Sequence, residues 1–212
     1  MALDSPIARL HDQLLARHGP QGWWPLFHRY SRSLRYHPAD YSVPRGQSRV
    51  EVIVGAVLAQ NTSWQNVVRA LAQIHQARAM SWRALVEMRV SRLERLVRPA
   101  GYFRQKTRKL KELARFFLSR RGAPRRAQLL ALWGVGPETA DSILLYAYGV
   151  PVMVVDAYLR RVLARCGFEQ EAAWRYEDLR TWIEDQLPPD HAALNEFHAL
   201  LVAEGKALRA RN

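Results

Sequence analysis

Leu132-Trp133-Gly134-Val135-Gly136-Pro137-Glu138-Thr139-Ala140 is the stretch on which the fold of this chain turns. Gly134 and Gly136 bracket one apolar residue, and helical patterns flank them. Arg126–Leu132 reads as a short helix before the turn, and Ala140, Ile143, Leu144 and Ala147 recur after it at helical offsets. Glycine permits a tight turn whose backbone a ligand can approach closely. Pro137 suits the first position of the second helix, whose leading N–H groups have no partner inside the helix. Such a turn offers a positive cradle, free of side chains, that fits a phosphate. Val135 would turn inward and pin the two helices together. Gly-x-Gly alone is a weak signal, and a plain helical connection reads the same way.

The pattern on either side is helical almost throughout. Gly149 closes the second helix, Val152–Val155 forms a short β-branched run, and Asp156 opens a helix running to about Cys166. Upstream, Ile7, Leu10, Leu14 and Leu15 share a stripe that Gly19-Pro20 stops. Gln21–Gln47 is polar, aromatic and interrupted by Pro25, Pro38 and Pro44, so an irregular segment is predicted. Helical spacing resumes at Glu51–Leu58 and Ser63–Ala77. Short helices follow at Ser81–Arg89 and Ser91–Val97, each with a serine placed to cap it. Gln105–Phe117, Trp174–Leu187 and Ala192–Leu208 complete the set. The predicted fold class is all-α.

Composition bounds the partners. The 212 residues carry 32 Lys+Arg against 19 Asp+Glu, a formal charge of +13, which favours a polyanion. No apolar run reaches the ~20 residues a membrane-spanning helix needs. The opening residues Met1-Ala2-Leu3-Asp4-Ser5 lack an apolar signal core, and Cys166 is the single cysteine, so a reducing cytoplasm is expected. The seven histidines show no metal-ligand spacing.

The hairpin, the helix after it, a short Gly/Pro segment and then Asp156 together resemble the helix-hairpin-helix (HhH-GPD) DNA glycosylase superfamily that includes endonuclease III. Ala59-Gln60-Asn61-Thr62 is similar to the family's Ala-Gln-x-Thr segment, and Gly101-Tyr102-Phe103…Lys106 to its Gly-Leu/Phe-Tyr…Lys segment. The resemblance spans roughly residues 47–207. It implies two helical lobes with a DNA-binding cleft: residues 47–150 as the lobe holding the hairpin, residues 1–46 plus 151–212 as the second. It also implies double-stranded DNA with damaged bases as the partner, no membrane, and a monomer.

By itself Asp156 reads as a helix cap, a place where aspartate excels. At this position the resemblance makes it the catalytic carboxylate. Breaking an N-glycosidic bond builds positive charge on the sugar, which a carboxylate stabilises while orienting or deprotonating the attacking water. Bifunctional members carry a lysine two residues after the second hairpin glycine, and its amine forms a Schiff base. Glu138 stands there instead, so lyase chemistry is not expected. Glu138 is either a second catalytic carboxylate or a glutamate placed by the helix dipole. Many relatives hold a [4Fe–4S] cluster on four cysteines; with Cys166 alone, no cluster is expected. The hairpin carbonyls of the family can hold a monovalent cation.

Among lysine-lacking relatives without a cluster, the chain is most similar to the 3-methyladenine DNA glycosylase III group. The matching segments are Trp23-Trp24-Pro25, Gly55–Thr62, Arg98-Pro99-x-Gly101, and those around Glu138–Ala140 and Val152–Asp156. An N-alkylated purine is already cationic, so its bond is weak and indole faces attract it. Trp23, Trp24 and Pro25 are the base-pocket candidates, with core anchoring as the competing role; Val50 stands where an aromatic partner was expected. Gln60, Gly134, Val135, Gly136, Thr139 and Lys106 are the DNA-binding candidates, Gln60 as the side chain that fills the gap left by a flipped nucleotide. Between Arg98 and Arg126 lies a basic stretch expected to contact phosphates. Three readings stay open: an alkylpurine glycosylase that leaves the strand intact, an endonuclease III-like oxidised-pyrimidine glycosylase with AP-lyase activity, and a non-catalytic DNA-binding protein.

Overall fold

Apolar spacing becomes helix nearly everywhere along the chain. The computed structural model describes residues 4–28 and 33–210. In chain order these form α1 (Pro6–His18), strands β1 (Leu26–His28) and β2 (Ser33–Arg35), α2 (Gly46–Leu58), α3 (Trp64–Gln76), α4 (Trp82–Glu87) and α5 (Val90–Val97). A 3-10 turn at Arg98–Ala100 leads to α6 (Phe103–Leu118), α7 (Arg126–Leu130) and α8 (Pro137–Ser142), which continues as a π-helical segment, Ile143–Ala147. Then come α9 (Ala157–Arg165), α10 (Glu169–Ala172), α11 (Tyr176–Glu184) and α12 (His191–Ala210). No described helix is long and apolar enough to cross a membrane.

The chain divides into two compact units. One holds the chain up to Trp24, Tyr36–Ser42 and everything from Gly149 on; the other holds Pro25–Arg35 and Val43–Tyr148. The segment predicted irregular therefore contains a small antiparallel hairpin, Leu26 opposite Arg35 and Phe27 opposite Leu34. Three-residue strands give too little alternation to be read against the surrounding prolines.

In the hairpin-bearing unit α2 is buried on every side from Val50 to Leu58, the mark of a central helix. Its one buried acid, Glu51, accepts the Phe27 N–H and contacts His75 Nε2 at 2.8 Å, so β1 and α3 are both tied to it. Ser81 caps α4 by accepting from the Ala84 N–H. Ser91 does not cap α5: that helix begins at Val90 with Arg89 before it, because the chain already turns helical one residue earlier.

In the other unit α12 packs against α1 and α9. Val152–Val155 is buried but joins no helix or strand. Two of its N–H groups donate to side chains instead, Met153 N–H to Glu184 Oε1 at 2.7 Å and Val155 N–H to Tyr176 Oη at 3.3 Å. This holds the residue that follows, Asp156, at a fixed place.

Candidate functional site

The glycine turn forms as its composition demands, but the two glycines differ. Gly134 has φ +77°, and a Cβ there would collide with Lys109 Cε; Val135 is buried as expected. Gly136 has φ −91° and ψ 178°, a conformation open to any residue, with nothing beside its Cβ position. Glycine is thus required at 134 by the backbone, while at 136 it leaves room.

Gln60, at the end of α2, is locked to this turn. Its Nε2 donates to Thr139 Oγ1 at 2.7 Å and to Gly134 O at 3.3 Å, and its Oε1 accepts from Lys109 Nζ. Burial lowers the Lys109 amine below the usual lysine range. Lys109 is the residue that sequence reasoning left undistinguished within a charge run. Glu138 is exposed on the first turn of α8. Tyr102 is 63% exposed and left-handed at φ 42°, a conformation costly for a side chain of that size.

Lys106 is placed differently from its expectation as a DNA contact. It is 2% exposed, and its Nζ donates to Leu58 O at 2.9 Å and Ala100 O at 2.6 Å. Those are helix-end carbonyls without partners of their own, so the amine serves as a buried cap. Burial, helped by Lys109, lowers it to about 8. Lys111 acts likewise, donating to Val86 O and Met88 O at the end of α4. Arg126 pairs with fully buried Asp141 at 2.7 Å. Much of the basic stretch is therefore structural, and Arg98, Arg104 and Arg108 are among the residues it leaves exposed.

In the other unit Asp156 is the N-cap of α9. Its Oδ1 accepts the Leu159 N–H at 2.8 Å, while Oδ2 lies 3.6 Å from His198 Nε2. Burial pushes the carboxyl up, but His198 and the N–H groups of Leu159 and Tyr158 outweigh it, and the acid ends below its ordinary value. The carboxyl is only 16% exposed, and these contacts favour its charged form. The capping role and a catalytic role are compatible, since one oxygen caps and the other faces His198. Sequence spacing weighed His198 only as a metal ligand; the available signal for another role was the run of polar residues Asn195, Glu196 and His198, all of them buried.

Trp23 and Trp24 are partly exposed, and Pro25 is buried and belongs with the hairpin-bearing unit. Asn195 Oδ1 accepts the Trp23 N–H at 2.9 Å. Buried Glu196 accepts from Gln21 N–H, Gly22 N–H and Tyr41 Oη–H at 2.7, 2.8 and 2.9 Å. Burial and that carboxylate push the Tyr41 phenol up to about 12. Trp23 meets Trp24 edge-on at 5.7 Å and Tyr36 at 5.6 Å. The Lys206 ammonium sits 5.2 Å from the Trp23 ring centre and 6.0 Å from that of Tyr36, so these faces already carry a cation. Val50 is a buried core residue of α2.

A family model described as the HhH-GPD superfamily base excision DNA repair protein matches residues 54–186. The chain belongs to that superfamily. It is 34% identical to a Methanocaldococcus jannaschii protein described as a DNA repair glycosylase, over 94% of this chain and 87% of the other. A structure of Helicobacter pylori 3-methyladenine DNA glycosylase bound to 1,N6-ethenoadenine is similar at TM-score 0.65 and 25% identity, over 74% of this chain and 85% of that one. A non-covalent endonuclease III–DNA complex shares the fold at TM-score 0.71 and 19% identity, over 97% of both chains. As an HhH-GPD member the chain is a base-excision repair protein of the DNA glycosylase family.

Proposed function

We propose that this glycosylase is monofunctional, hydrolysing the N-glycosidic bond of an alkylated purine such as 3-methyladenine with Asp156 as catalytic carboxylate. The placement of Asp156 carries the reading: a mostly buried carboxyl that caps α9 with one oxygen and turns the other toward His198. A carboxylate in such a place stabilises the positive charge that grows on the sugar and orients water for attack. Held by the Leu159 N–H and beside His198, it needs no reorganisation when that charge appears.

Three features favour a cationic base and simple hydrolysis. The Trp23 and Tyr36 faces hold the Lys206 ammonium in this structure, and a cationic purine suits the same rings once that side chain gives way. Glu138 occupies the position of the Schiff-base lysine, and a carboxylate cannot form an imine. Within these 212 residues the single cysteine, Cys166, does not fit a four-thiolate cluster, so the chemistry proposed uses none. The relative solved with 1,N6-ethenoadenine supports the alkylpurine choice. Gln60, locked to the hairpin, is the proposed gap-filling side chain. Glu138, exposed in the first turn of α8, is given a dipole role rather than a catalytic one.

The reading is tested by incubating the protein with methylated duplex DNA, identifying the released base by mass spectrometry and adding borohydride. Release of 3-methyladenine or 7-methylguanine with no trapped adduct is expected. A covalent adduct favours the lyase reading, and the absence of any released base from a panel of lesions favours the binding-only one.

A further inference from the structure

In the hairpin-bearing unit three exposed arginines rest on aromatic rings. Arg108 Cζ lies 3.9 Å from the ring centre of Trp133, and Arg98 and Arg104 lie 5.6 and 5.8 Å from that of Phe103. We propose that Arg98, Arg104 and Arg108 form a track for the sugar–phosphate backbone of duplex DNA beside the hairpin, with Trp133 as a positioning residue that holds Arg108. The proposal rests on the DNA-repair reading and adds to it a surface the hairpin does not supply.

A guanidinium held over a ring, as Arg108 is over Trp133 at 3.9 Å, still has its N–H donors for an outside acceptor. Among the described residues none of these three arginines donates to a protein acceptor, in contrast to Arg126 on Asp141 in the same stretch. Arg104 and Arg108 stand four residues apart on α6, where like charges repel. A fold that holds them there without an acid partner is suited to an external anion. Trp133 leaves 42% of its surface in water one residue before the glycine that begins the close approach. A ring that merely filled the core would be covered; this one serves as a platform for a cation. Phosphate is an anion that a fork of N–H donors matches edge-on, and a duplex presents its phosphates one after another along the backbone.

Binding of an undamaged duplex is measured by fluorescence anisotropy across a salt series for the native protein and for R104Q, R108Q, W133L and W133F, with melting curves for each. Native binding should have a steep log–log salt dependence, and R104Q and R108Q should each flatten it by about 0.9 and weaken binding roughly threefold to tenfold at moderate salt. W133L should behave as R108Q does, because Arg108 loses its platform, while W133F should restore native behaviour. If the native protein binds but R104Q and R108Q keep its slope, the track is wrong and the glycosylase reading stands. If W133L keeps the native slope, Trp133 only shields itself and its positioning role fails. Failure of the native protein to bind any duplex overturns the DNA-repair reading and the track together.

Discussion

Asp156 meets two opposing demands at one carboxyl group. Burial disfavours its charge, while His198 and two backbone N–H groups favour it and prevail. Because the acid lies below its ordinary value of ~3.9, base release should stay level as pH falls to about 4 and drop only below that. The sign for stability is the same: a lowered carboxylate stabilises the fold above its unfolded value and loses that contribution as pH falls through the folded one. His198→Gln removes a lowering influence, so the acid limb of the pH–rate profile should move upward; an unmoved limb means His198 does not tune this acid. Asp156 was legible because a capping aspartate after a Gly/Pro segment is a local pattern. His198 was harder to read, since its partner lies far away in sequence and polar residues spaced along an otherwise apolar helix are the one local mark it carries.

Helix ends and turns carry the next level of control. Lys106 closes carbonyls at the end of α2 and in the 3-10 turn, so Lys106→Met should cost about 2–4 kcal/mol in urea unfolding, the range for a buried donor whose removal strands two acceptors. With its amine lowered to about 8, the unfolded chain binds the extra proton between that value and the ordinary lysine range. Native stability should therefore rise with pH across that window relative to the Met variant; a flat difference would argue that the amine is not desolvated. Gly134→Ala must adopt φ +77° and push Lys109 away, which should cost roughly 1–2 kcal/mol and free Gln60 from its lysine contact. Duplex affinity measured alongside melting shows whether that clamp matters for binding. The glycine turn was readable from spacing alone. Lys109 was hidden because a charge run gives each member the same appearance, and only folding separates Lys106 and Lys111 inside from Arg104 and Arg108 outside. The β1–β2 hairpin escaped notice because three-residue strands carry almost no alternation.

For the whole molecule, a charge of +13 makes duplex binding general, while chemistry depends on a few side chains. The helical class and the family were legible because the hairpin and the aspartate occur in a fixed order. The fate of individual cations was not, because burial is a property of the folded chain. The most direct measurement compares native protein and Asp156→Asn on methylated duplex DNA under single-turnover conditions, with binding followed in parallel. Native protein should release a cationic alkylpurine and leave the strand uncut, and the variant should bind equally well yet release base at least ~100-fold more slowly. Undiminished release by Asp156→Asn would contradict the central claim.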